Sequence, residues 1–456
     1  MPNKKVKIAS QKETVRPTNV KECDLHFYRS TNLDRDFYSE DALAKYYLTD
    51  SLRGYMTRII NGLRKGSTLR AWRIVGPYGC GKSSFALALA RHLSGPSFAK
   101  NIPGVPKAGV DLTPILVTCS KAPLANAVIT GVEKFCSSRR GRTINALKKT
   151  YNTATEQALA CIQSLFERGD GVLLILDELG KALEYAALNP DKDDVFLLQQ
   201  LAEMASRNQD KPFVLITLLH QNVSAYADRL GHATIREWEK VAGRFEEISF
   251  EQSFIDNLSI VSQLLGSHSE KLSSETVKTI SGVADVLLDE NWVSGKLDPK
   301  TLKVLFEKLY PLHPTFVPVL FKFMQRFVQN ERSVYGFLFA NEPFGLQSFN
   351  EHRIEDSEFY GLADFYDYIR ANQIYRLDRA AVLTRWAHIE SMVDKVCESE
   401  AETKLLKSVA VLNLLDDQSI RPTNKMLEIC LPVVTSLEVR HIIDRLRNDG
   451  DRKSVV

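Results

Sequence analysis

The sequence predicts an α/β core built on a five-stranded parallel sheet, followed by a helical lid and a winged-helix-like all-α region. Three observations carry this. Five short apolar runs (Trp72–Val75, Ile115–Cys119, Val172–Leu176, Phe213–Leu218 and Glu246–Phe250) alternate with segments of helical apolar spacing, the pattern of parallel strands joined through helices. Most of these runs are predominantly apolar rather than alternating, as expected of strands covered on both faces. Between the first run and the helical pattern "FALALARHL" sits a glycine-rich turn, "GPYGCGKSS" at residues 76–84.

In chain order, an N-terminal extension (1–39) opens on "MPNKKVKIASQKETVRP", which is basic and polar. It lacks the apolar stretch of about 7–15 residues that a signal peptide needs. The core (40–252) begins with a leading helix expected within "DALAKYYLTDSLRGYMTRIINGL", whose apolar residues recur at helical spacing. After Phe250 no further strand of the buried type appears. "NLSIVSQLLG", "SETVKTISGVADVLLDE", "KTLKVLFEKLY" and "TFVPVLFKFMQRFVQ" all read as helices and form the lid (253–345). The last region (346–456) follows the loop-rich stretch "NEPFGLQSFNEHRIEDSEFYG", with helices expected near 376–398 and 403–415 and a final one, "SLEVRHIIDRLRNDG", capped at Gly450. Short helices leading into "DRKSVV" read as a winged-helix unit, expected to be cut short as its wing begins.

Composition narrows the function classes. The chain has 456 residues, 44% hydrophobic and 25% charged, which suits several packed domains rather than disorder. Lys and Arg number 59 against 56 Asp and Glu, so the overall balance implies neither a nucleic-acid coat nor a membrane-surface protein. The seven cysteines are scattered and form no C-x-x-C pair, which argues against a disulfide framework or a zinc site and for a reducing compartment. No run approaches the roughly 20 apolar residues of a membrane span. A soluble cytoplasmic protein is expected.

Residues Gly76 to Ser83 satisfy the phosphate-loop pattern G-x-x-x-x-G-K-S/T in the context it requires, after a strand and opening a helix. The loop residues Gly76, Pro77, Tyr78, Gly79, Cys80, Gly81, Lys82, Ser83 and Ser84 are therefore the candidate nucleotide cradle. Its glycines permit positive φ and close approach to phosphate, and the helix N-terminus favours negative charge. Lys82 would bridge the β- and γ-phosphates of ATP, and Ser83 would offer its hydroxyl to Mg²⁺. The competing reading is a plain strand-to-helix turn. "GVLLILDELGK" (171–181) is an apolar strand ending in Asp177-Glu178, and carboxylates at such a strand end face the ligand crevice of open α/β sheets. Asp177 would hold Mg²⁺ through a water, and Glu178 would orient or deprotonate the attacking water. By itself a "DE" pair is more often a solvated strand end; coupled to the phosphate loop it becomes a hydrolytic site.

The extra strand "PILVTC" between these motifs resembles the additional-strand class of phosphate-loop ATPases, which includes AAA+ proteins. No guanine-reading N-K-x-D motif is present. In that class a polar residue after the fourth strand senses the γ-phosphate. Here "FVLITLLHQN" offers Thr217, His220 and Gln221, with the choice among them open. An arginine just before the fifth strand reaches into the neighbouring subunit's site in AAA+ relatives. Arg244 of "IREWEKVAGRFEEISF" holds that place, with Arg236 a weaker candidate. "RIVGPYGCGKSSFALALA", "WEKVAGRFEEISF", "YPLHPTFVPVLFKFMQRFVQNERSVYGFL" and "LADFYDYI" together resemble the large bacterial ATPases of phage-resistance systems such as those of BREX loci, a family similar also to origin-recognition AAA+ proteins and STAND ATPases. The resemblance covers most of residues 40–450. It implies an oligomeric ATP-hydrolysing switch using ATP and Mg²⁺ in antiviral defence, with an arginine supplied in trans and a protein partner or effector. It also implies a second, lid-borne arginine at the nucleotide, carried here by Arg332 of "QNERS". The alternatives are a DNA-remodelling or loading ATPase and a nucleotide-binding scaffold with little turnover.

Other features read more plainly. Arg139, Arg140, Arg142, Lys148 and Lys149 in "SSRRGRTINALKKTY" could touch nucleic acid, but without interleaved aromatics they read better as a solvated face. Cys80 could be a redox switch, though space filling explains it better. The terminal helix carries charges of both signs, which favours docking a protein over a DNA groove.

Overall fold

The computed structural model describes residues 31–43, 46–94, 102, 104–138, 144–167, 171–189, 195–207, 211–227, 232–251, 253–265, 272–293, 298–327, 332–353, 358–373, 399–431 and 434–448, with 384, 386, 387, 390, 391 and 393 between the last two stretches but one. All belong to one compact unit, Thr31–Val456.

The first half runs α1 (Leu33–Asp36), α2 (Asp50–Asn61), β1 (Ala71–Val75), α3 (Lys82–Leu93), β2 (Leu112–Thr118), α4 (Leu124–Ser138), α5 (Ala154–Glu167), β3 (Gly171–Asp177), α6 (Leu179–Leu188), α7 (Val195–Arg207), β4 (Phe213–Leu219), α8 (Val223–Tyr226), α9 (His232–Ala242) and β5 (Glu246–Ser249). The five strands form a parallel sheet in the order β2-β3-β4-β1-β5. β4 separates the glycine-loop strand β1 from the Asp-Glu strand β3, and all five expected strands are present.

Successive side chains on a strand point to opposite faces, and here both faces are covered. Trp72, Ile74, Leu173, Ile175 and Ile216 pack under α1, α2 and α3, while Val117, Leu174, Leu176, Leu215 and Leu219 pack under α4 to α7 and α9. Central β3 and β4 are buried along their whole length, which explains their unbroken apolar runs. β5 lies at the edge, and there Glu246 and Glu247 are tolerated because they remain partly exposed. Removing an apolar side chain such as that of Ile74, fully buried here, from water contributes about 1.5–3 kcal/mol.

The leading helix is shorter than its apolar periodicity suggests. Thr49 caps α2 by accepting the Leu52 N–H at 3.3 Å, and residues Glu40–Leu43 form a separate 3-10 turn. The chain before it is fastened to α3 by Arg91, 7% exposed. Its Nε donates to the Phe37 carbonyl at 3.0 Å, and its Nη2 donates to the carbonyls of Asp36, at 2.7 Å, and Ser39.

The second half is helical: α10 (Phe254–Leu265), α11 (Ser274–Asp289), α12 (Pro299–Lys308), α13 (Phe316–Phe327), α14 (Arg332–Phe339), α15 (Leu346–His352), α16 (Leu362–Tyr368), α17 (Glu400–Leu415), α18 (Asn424–Cys430) and α19 (Ser436–Asn448). Side chains of Ser273, Asp298, Ser399 and Thr423 cap α11, α12, α17 and α18, an arrangement that stabilises each helix by about 1 kcal/mol. One apolar core runs from Leu258 to Ile443 and includes Phe365, whose ring lies 4.9 Å from that of Phe316 and 5.1 Å from that of Phe323. The stretch expected to be loop-rich contains α15, because Leu346 is buried and anchors a short helix there. Among the described residues no strand follows β5. The expected wing, the Gly450 cap and most of the helix expected at 376–398 lie outside the described residues. No helix among the described residues is long and apolar enough to cross a membrane.

Candidate functional site

The C-terminal ends of β1, β3 and β4 bring the predicted residues together. The loop between β1 and α3 closes through Gly79 and Gly81, at φ 78° and 85°, a left-handed conformation that favours glycine. Gly81 takes the N-cap position of α3 with no side-chain bond. The first-turn amides of α3, on Lys82, Ser83 and Ser84, thereby lack a capping side chain, the condition in which a helix N-terminus can receive an anion.

Lys82 is 5% exposed and turned into the hollow of its own loop. Its ammonium donates to the carbonyls of Gly76 at 2.8 Å and Pro77 at 2.6 Å. It also lies 3.4 Å from His220 Nδ1 and 3.6 Å from Cys80 Sγ. The Cys80 thiol itself donates to the Pro77 carbonyl at 3.0 Å, so it packs within the loop. Ser84 Oγ meets Thr31 Oγ1 at 2.8 Å, which places the start of the described chain beside the loop.

Across the crevice, Ser83 Oγ donates to Asp177 Oδ2 at 2.8 Å, and the Glu178 N–H donates to Asp177 Oδ1 at 2.8 Å. Burial pushes the Asp177 carboxyl above its ordinary value, opposed by these two hydrogen bonds and by Lys82. A buried carboxylate beside a serine hydroxyl is an all-oxygen donor set, and a hard cation offsets its desolvation. Mg²⁺ fits that chemistry, since it binds through one or two carboxylates and substrate phosphates rather than an all-protein cage. Glu178 is the N-cap of α6 and sits in the left-handed region at φ 52° and ψ 35°. Strained backbone of this kind recurs at functional turns. Its carboxylate pairs with Lys181 one turn later.

His220 follows β4 and stacks on Tyr78 of the loop, ring centroids 3.3 Å apart at 20°. Burial, then the neighbouring Lys82 and Lys181, push its imidazole down to about 4, so it is neutral at physiological pH. Thr217 lies within β4 rather than after it. It is 1% exposed and its hydroxyl donates to the Trp72 carbonyl at 3.3 Å. Lying two residues before the strand end, it is enclosed within the sheet. His220 lies in the crevice, and Gln221 joins it in lining an adjoining cleft of about 540 Å³ between the end of β1, the segment after β4 and β5.

Arg244 is not in this crevice. It pairs with Glu203 at 3.6 Å and precedes the N-terminal end of β5, whereas the loop leaves the C-terminal end of β1. The four residues of β5 alone separate the two ends, by roughly 13 Å at about 3.3 Å per residue. Arg236 is exposed on α9. Arg332 begins α14; its side chain, and Arg139, Arg140 and Arg142, lie outside the described residues, while Lys148 and Lys149 are exposed.

Two residues of the site escape the motif reading. Lys181 belongs to the quoted strand-end phrase, but its pairing with Glu178 depends on α6 starting there. Tyr226 on α8 places its phenol oxygen 2.3 Å from where a Cβ on Gly180 would be, so it packs against the turn that carries Glu178. The backbone amides of His220 and Gln221 also bear on that phenol. No local signal marks Tyr226.

The strand order, the loop after β1 and the carboxylates ending β3 define an additional-strand phosphate-loop fold. No protein-family model matches the chain, and no curated protein does. Among solved structures, it is similar to the Aeropyrum pernix ORC1 protein in complex with DNA, at 13% identity over 91% of this chain and 87% of that one, with a TM-score of 0.34. It is also similar to Cdc6p from Pyrobaculum aerophilum, at 12% identity over 89% and 88%, with a TM-score of 0.36. A third is Drosophila ORC bound to DNA, at 12% over 96% of both chains, with a TM-score of 0.31. At these identities and scores the likeness assigns no residue and no activity.

Proposed function

We propose that this chain binds ATP in the Gly76–Ser84 loop and hydrolyses it, using the nucleotide cycle as a molecular switch. The observation that carries the reading is the 2.8 Å bond from Ser83 to Asp177 beneath the loop that holds Lys82. It joins a phosphate-loop hydroxyl to a strand-end carboxylate contributed by a separate motif. The loop amides and Lys82 hold the phosphates, Ser83 and Asp177 hold Mg²⁺, and Glu178 orients the attacking water. When bound, Mg²⁺ supplies positive charge that offsets the negative charge of the phosphates. His220, neutral and beside Lys82, is the group placed to sense the terminal phosphate.

Arg244 serves the site of a second copy, a role supported by its exposure and its distance from its own loop; the active form is then a homo-oligomer. The setting we propose is bacterial defence against phage. Its support is the resemblance of the quoted sequence phrases to ATPases of those loci.

Glu178→Gln tests the reading. We expect turnover to fall by at least about 100-fold, the contribution of a positioned base, while a non-hydrolysable ATP analogue binds as before. A wild-type chain that binds ATP yet shows no turnover for the substitution to remove would identify a nucleotide-binding scaffold instead.

A further inference from the structure

Lys181 is one helical turn beyond Glu178 on α6, and its ammonium is paired with the Glu178 carboxylate. The two cations near the loop differ in kind. Lys82 is buried and holds two loop carbonyls. The Lys181 side chain is 45% exposed and sits at the rim. Lys181 and Lys82 both act on His220, and Tyr78 acts on Lys181, so Lys181 lies within electrostatic range of the loop and the β4 tip. A terminal phosphate held by Lys82 and the loop amides therefore brings negative charge close to an ammonium that can move.

We propose that Lys181 reads the terminal phosphate and governs Glu178. With no such phosphate, the ammonium occupies the carboxylate and holds it toward α6. A terminal phosphate competes for the ammonium, because a mobile point charge follows the stronger local anion. Lys181 then moves toward the phosphate, and Glu178 is released to accept a hydrogen bond from the attacking water. ADP has no terminal phosphate and leaves the pair closed. Lys181 is thus a phosphate-contacting group and, for Glu178, a positioning residue. This rests on the ATP reading above.

The test compares wild type, Lys181→Gln and Lys181→Arg for affinity toward a non-hydrolysable ATP analogue and toward ADP. The glutamine variant should lose about tenfold of the preference for the analogue over ADP, the scale of one charge-assisted contact. Its ADP affinity should be unchanged, and the arginine variant should restore the preference. Thermal melting of all three confirms folding, which a half-exposed position should preserve. An unchanged preference in Lys181→Gln, or an equal loss of both affinities, overturns the proposal while leaving the ATP site intact. If wild type binds neither nucleotide, the ATP reading fails, and this proposal falls with it.

Discussion

Gly180 sets the distance between the Glu178 turn and α8, and replacing it with alanine tests how tightly those parts are joined. A Cβ at this position would lie 2.3 Å from the Tyr226 phenol oxygen, 2.6 Å from Cζ and 2.7 Å from Cε1. Ordinary contact begins at 3.4 Å, so the phenol oxygen is about 1.1 Å too close and the ring must shift. Overpacking of this size costs about 1–3 kcal/mol. Alanine's helix preference over glycine returns up to about 1 kcal/mol; with all of it recovered, the net loss is about 0–2 kcal/mol. Melting curves of Gly180→Ala, Tyr226→Ala and the double variant form the assay. Once the ring is gone the alanine should no longer destabilise, giving a coupling of about 1 kcal/mol or more between the sites. Simple additivity of the two substitutions would refute the reasoning.

Two further outcomes are expected. Mixing an Arg244→Ala chain with a Lys82→Ala chain should restore hydrolysis that neither shows alone, since each supplies what the other lacks; co-assembled chains that stay inactive contradict an arginine in trans. Acid should destabilise the helical half through His313, which is fully buried with Nδ1 2.7 Å from Thr315 Oγ1. Burial lowers its imidazole from 6.5 to about 3. The unfolded chain therefore takes up the proton first. Stability from the neutral ring is complete above about pH 6.5 and is lost at up to about 1.4 kcal/mol per pH unit as pH falls toward 3. Melting temperatures between pH 7 and 5 should decline less in His313→Asn, and equal slopes would exclude His313 as the cause.

By itself the sequence determined the sheet, the loop and the strand-end carboxylates. Each is written in local patterns: an unbroken apolar run marks a doubly covered strand, and glycines around a lysine between strand and helix mark a phosphate turn. That Ser83 and Asp177 share a site was legible because their two motifs point to one Mg²⁺; their direct bond was not. The start of α2 was not, since Thr49 caps inside a longer apolar periodicity.

Only the tertiary structure decided which polar residue after β4 meets Lys82. Thr217 and His220 lie on the same short phrase, but one is enclosed within the sheet and the other lies past the strand end beside the loop. Arg244's separation from its own loop follows from the strands being parallel, so that opposite ends of β1 and β5 carry the two features. Lys181 on Glu178 and Tyr226 against Gly180 depend on where α6 begins and how α8 docks on it. Local spacing records which residues share an element. Packing between elements decides which side chains touch, and it is the touching that places charge at the candidate site.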